Sequence, residues 1–108
     1  MPASETPKAV VARLFQQIQN ETWPAHLNTA ERAGIDLVML DADIAGCVTT
    51  WLSNNGFLDA RRLAILRRKL SDLEQVLPEL DEADNLRLWQ LWHQVAQLVS
   101  ETVRHSTN

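Results

Sequence analysis

The chain is short of the residues that brace small proteins covalently or bend their backbones: it has one cysteine, three glycines and four prolines among 108 residues, and no tyrosine. A single thiol, Cys47, permits no intramolecular disulfide and no cysteine cage for zinc, so a reducing cytoplasm is the expected setting. Scarce glycine leaves no glycine-rich loop of the kind that doubly wound α/β folds use. Positive charge is also in deficit, with 10 basic against 14 acidic residues and a formal net charge of -4. Long-range repulsion from phosphate then makes nucleic acid a disfavoured partner. No apolar run approaches the roughly 20 residues that cross a bilayer, and residues 1–8 have neither the basic nor the apolar region of a secretion signal. A protein neither exported nor membrane-spanning is expected.

What is present is an ordinary globular composition, 45% hydrophobic and 22% charged, which is too apolar for disorder. The length suits one domain over 1–108 with one core and frayed ends at 1–5 and 105–108. Punctuation and period predict an all-α, four-helix up-and-down bundle with helices over 7–20, 35–54, 60–77 and 85–104.

The first helix has Thr6 as N-cap, Pro7 at its first position, and Val10, Val11, Leu14, Phe15 and Ile18 on one side. The second carries the stripe Leu37, Leu40, Ile44, Val48 and Trp51 and stops at Asn54-Asn55-Gly56, where glycine can turn left-handed. The third follows the N-cap Asp59 and sets Leu63, Leu66, Leu70, Leu73 and Leu77 in a narrow coiled-coil-like seam. The fourth has the widest apolar arc, from Leu88 through Val103, as a central or partner-binding helix would. Between the first two helices, 21–34 is long for a connection and contains Trp23, His26 and a possible turn capped by Asn28.

Several motifs hint at chemistry. Leu37-Val-Met-Leu-Asp41-Ala-Asp43 resembles the first motif of haloacid-dehalogenase-like phosphatases over seven residues, where the first carboxylate attacks phosphorus. That chemistry needs a strand at the edge of a parallel sheet, which the helical pattern does not supply. His26, His93 and His105 with Asp36, Asp41 and Asp43 lack the i, i+3 or i+4 steps of ligands on a helix, save His105 after Glu101, so no metal and no cofactor are expected. Arg61, Arg62, Arg67, Arg68 and Lys69 after a glycine-containing turn raise a helix-turn-helix alternative. They form no continuous basic face, and pairing with Asp81, Glu82 and Asp84 is the simpler expectation.

Four tryptophans are more than packing requires, and Trp89 and Trp92 lie on adjacent parts of the fourth helix, where interface anchors are common. Ala42, Gly46, Thr49 and Ser53 make a small-residue strip on the second helix that would admit another backbone, from within the chain or across a dimer. The leading functional expectation is therefore a protein-interaction or regulatory module with a protein partner or a second copy. The alternative is a small-ligand or catalytic bundle built around a carboxylate with nearby Trp and His groups such as His93. No nucleophile, base and orienter stand together, so enzyme activity is the weaker reading.

Asp41 is the sharpest single residue. At about 100° per residue it falls inside the apolar arc of the second helix, between Val48 and Leu52, while Asp36 and Asp43 fall on the polar side. A core carboxylate must be paired, capped or protonated, so an arginine, a tryptophan indole N–H or a capping position is expected beside it, with Arg62 and Arg67 as candidates.

Overall fold

The four helices start where a short polar side chain catches a free backbone N–H. In the computed structural model, which describes residues 5–103, Thr6 accepts from Ala9 N at 3.1 Å, Asp36 from Met39 N at 3.0 Å, Asp59 from Arg62 N at 2.8 Å and Asn85 from Leu88 N at 3.3 Å. Such caps stabilise a helix by about 1 kcal/mol each. They open α1 (Pro7–Gln19), α2 (Leu37–Ser53), α3 (Ala60–Val76) and α4 (Leu86–Thr102), which pack as an all-α four-helix bundle. The chain ends expected to fray lie outside the described residues apart from Glu5, which pairs with Arg13 at 3.1 Å, and the fourth helix ends at Thr102, short of the expected Arg104, because Val103 turns extended.

The wide apolar arc of α4 is explained by its position. It packs against α1, α2 and α3, whereas α1 meets α2 only marginally. Leu88, Trp89, Leu91, Trp92, Val95, Ala96 and Val99 are all buried, so α4 is the central helix. No described helix is long and apolar enough to cross a membrane.

The start of α2, the role of Asn28 and the end of α3 differ from the sequence reading for local reasons. The second helix starts two residues late because Ile35 and Asp36 (β2) pair antiparallel with Arg32 and Glu31 (β1). The hairpin turns on Ala33 and Gly34, both at positive φ, as a two-residue primed turn requires. Asn28 caps nothing: a short 3-10 helix covers Ala25–Thr29, and the Asn28 side chain accepts the indole N–H of Trp23 at 2.8 Å. The third helix tightens into a 3-10 turn over Leu77–Glu79, where Pro78 lacks the N–H that would continue it.

The leucine seam is also displaced. Leu63, Leu66 and Leu73 are buried, but Leu70 is only half-buried, and Val76 takes the inward place expected for Leu77. A straight helix drifts about 20° per heptad against a strict seven-residue pattern, which rotates the last leucine off the core. Residues 37–43 form the first two turns of α2, so the phosphatase-like motif has no strand beneath it.

The basic residues of α3 find neighbours other than those expected. Arg62 pairs with Asp59 at 2.7 Å, Lys69 with Asp43 at 3.3 Å and Asp72 at 3.7 Å, and Arg67 donates to Ser100. Asp84 instead gathers His26 and Arg32 from the long connection.

Candidate functional site

The second helix brings Asp41 to the border between core and surface, one turn from the buried Leu37 and Ile44. Facing it across the bundle is Trp92, whose ring is 2% exposed and whose Nε1–H donates to Asp41 Oδ1 at 2.8 Å. Of the three kinds of partner expected for this carboxylate, the indole is therefore the one present. Arg62 and Arg67 turn elsewhere because α3 lies on the other side of α2 from the cleft described below.

A cleft of about 290 Å³ opens at this point between α1, α2 and α4. Phe15, Ile18 and Gln19 of α1 form one wall, Asp41 and Ala45 the second, and Leu88 and Trp92 the third, with Glu21 and Trp23 from the connection at the rim. The walls are aromatic: Phe15 and Trp92 tilt together at 5.9 Å between ring centroids, and Trp23 packs on Trp89 at 5.8 Å. Burial pushes the Asp41 carboxyl above its ordinary range, with the Trp92 hydrogen bond pulling the other way. Glu21, the second carboxylate, accepts from Asn85 Nδ2 at 3.1 Å and from Arg87 Nε at 3.2 Å. Among the described residues Asp41 has no cation within ion-pair distance.

The other singled-out residues disperse. Trp89 is wholly buried and donates to the Asp84 carbonyl at 3.1 Å, so neither it nor Trp92 presents an exposed aromatic patch. Gly46 is solvent-exposed on α2, and a Cβ there would meet nothing within 4 Å. No described helix packs on the small-residue strip: Ala42, Thr49 and Ser53 are exposed with Gly46, because α2 turns its Leu37 to Trp51 stripe to the core and the strip lies opposite. His93 contacts Glu74 of α3 at 3.0 Å and does not line the cleft. His26 and His93 thus serve different carboxylates, and no three His, Cys, Asp or Glu side chains among the described residues converge as metal ligands would.

Sequence reasoning passed over the most buried carboxylate. Asp84 is 3% exposed and ends a 3-10 turn (Glu82–Asp84) that forms a reciprocal capping box with Asp81. His26 Nε2 lies 2.7 Å and Arg32 Nη2 3.0 Å from its Oδ1, while Oδ2 accepts the Asp81 N–H at 3.3 Å. Burial alone would raise this carboxyl, but the His26 and Asp81 hydrogen bonds and the Arg32 charge outweigh it and hold Asp84 below the usual range. Its oxygens are occupied within the chain, so it clasps the 21–34 connection to the foot of α4. The Asp-x-x-Asp spacing at 81 and 84 was the available signal.

A second cleft, of about 250 Å³, lies at the start of α1 beside Trp51. The Trp51 indole N–H has no partner among the described residues, but it sits beneath Gly56 and is buried, and Lys8 already donates to Asn55 at 3.1 Å. The Asp41 cleft joins open volume and aromatic walls to a half-buried carboxylate that has no cation among the described residues. No protein-family model, curated protein or solved structure matches the chain.

Proposed function

We propose that the chain is a small-ligand-binding helical module whose site is the cleft around Asp41. The observation that carries this is a half-buried carboxylate, set among aromatic walls, that the described chain leaves without a cation. Chains that bury charge for stability alone neutralise it internally, as Asp84 is neutralised here. The lining contains carboxylates, an amide and apolar groups but no hydroxyl, thiol or imidazole, which suits binding and orientation rather than bond cleavage.

The test is a ¹H–¹⁵N titration of the protein with small aromatic fragments. Saturable shifts confined to the Trp92 and Trp23 indole signals and the amides around Asp41 and Phe15 support the reading. Shifts that are unsaturable, or that fall elsewhere, contradict it.

A protein partner or second copy is the second reading, and of the two surfaces expected for it the α2 strip is the exposed one, the α4 tryptophans being buried. Val38 and Met39 are exposed there beside Ala42 and Gly46. Measuring mass in solution at high micromolar concentration tests the homodimer, which a strict monomer contradicts. The buried Cys47 thiol, pushed up by burial and donating to the Arg62 carbonyl, fits a reducing cytoplasm.

A further inference from the structure

We propose that the occupant of the Asp41 cleft is a small organic ammonium ion: one aromatic ring carrying a primary amine on a short arm, with the amine on Asp41 and the ring between Phe15, Trp23 and Trp92. This rests on the reading of that cleft as a binding site and names the chemistry it selects.

Charge decides first. Glu21 and Asp41 both line the cleft, and Glu21 is already compensated by Arg87 while Asp41 holds only a neutral indole N–H. An anionic ligand would meet two carboxylates in a partly desolvated site. A neutral one would leave Asp41 as uncompensated as before. A cation alone converts the cost of burying that carboxylate into an attraction. The aromatic walls add to the preference, because ring faces attract ammonium groups. The net charge of -4 favours the approach of cations.

Size decides second. The cleft measures about 290 Å³. An apolar cavity of roughly 150 Å³ is enough for benzene. A ring with a short amine arm therefore fits. Gln19 of α1 also lines the cleft and carries an amide oxygen of the kind that accepts from an ammonium hydrogen.

Calorimetric titration of the full chain at neutral pH with 2-phenylethylamine, 2-phenylethanol and phenylacetate tests the inference. The amine should bind saturably, the isosteric alcohol about tenfold more weakly or worse, and the acid not at all. Asp41→Asn keeps an acceptor for the Trp92 indole while removing the charge. It should lower amine affinity to that of the alcohol and leave alcohol affinity unchanged. Alcohol and amine binding equally, or Asp41→Asn binding amine as the parent does, overturns the ammonium assignment while the cleft remains a binding site. Failure of all three probes to bind overturns both. The comparison of amine with alcohol on the unmodified protein stands even if the variant folds poorly.

Discussion

Trp92 and Asp41 are 51 positions apart in sequence and meet at 2.8 Å, with the indole N–H donating to a carboxylate oxygen. The contact ties the central helix to α2 and satisfies a donor that would otherwise be buried unpaired. It also leaves Asp41 with its charge facing a cleft. One side chain thus joins two helices and lines a cleft.

These two roles separate on substitution. Asp41→Asn preserves the hydrogen bond and removes the desolvated charge, so it should raise the melting temperature at neutral pH. Since burial raises the folded pKa of Asp41, the parent regains this stability as acid protonates the carboxyl, and the gap should close at low pH. Asp41→Ala strands the indole and should be about 1–3 kcal/mol less stable than Asp41→Asn. Thermal and chemical denaturation of both variants across pH checks each sign.

Asp84 should behave in the opposite sense. Its folded pKa is held low by hydrogen bonds and Arg32, so its contribution is fully present above the ordinary aspartate value of about 3.9 and is lost as pH falls through the lower folded value. Asp84→Asn should cost about 1.5–3 kcal/mol at neutral pH, the worth of charge-assisted hydrogen bonds. The difference from the parent should vanish in strong acid. Urea denaturation at several pH values measures it.

What was legible follows from the range of the interactions concerned. The caps Thr6 and Asp59, and the stop at Asn54-Asn55-Gly56, could be read because a cap acts within three or four residues. Helix phase alone put Asp41 inside the apolar arc, as a core carboxylate in need of a partner, whereas the structure holds it half-buried at the border of the core. Which partner was present could not be read, because α2 turning its Asp41 edge to α4 instead of α3 depends on how four helices share a core. The small-residue strip around Gly46 could be read from the helix period, but whether another backbone covers it is a tertiary matter. Asp84 escaped because its burial depends on His26, 58 residues away, arriving on a connection whose hairpin was itself read as loop.

The displaced seam makes a further test. Leu66 and Leu73 are wholly buried and Leu70 is not, so Leu66→Ala and Leu73→Ala should each cost about 2–5 kcal/mol. Leu70→Ala should cost clearly less, although Leu70 sits at the middle of the heptad pattern. Chemical denaturation of the three variants gives the order, and a larger loss at Leu70 would mean that the seam meets another surface in solution.

Gly46→Ala should stabilise the protein. The added Cβ meets nothing, and alanine exceeds glycine in helix propensity by about 1 kcal/mol. A rise in melting temperature that does not depend on protein concentration is expected. A fall that grows with concentration would show a second molecule packed on the strip.

The most direct measurement is the titration of the Asp41 side-chain carboxyl by ¹³C NMR, first in the free protein and then with 2-phenylethylamine. The free midpoint should lie above about 3.9, because burial without a cation disfavours the charged form. Saturating amine should move it down, since an ammonium ion on Asp41 favours that form. A free midpoint at or below the ordinary value, unmoved by the amine, would contradict an uncompensated carboxylate waiting for a cation.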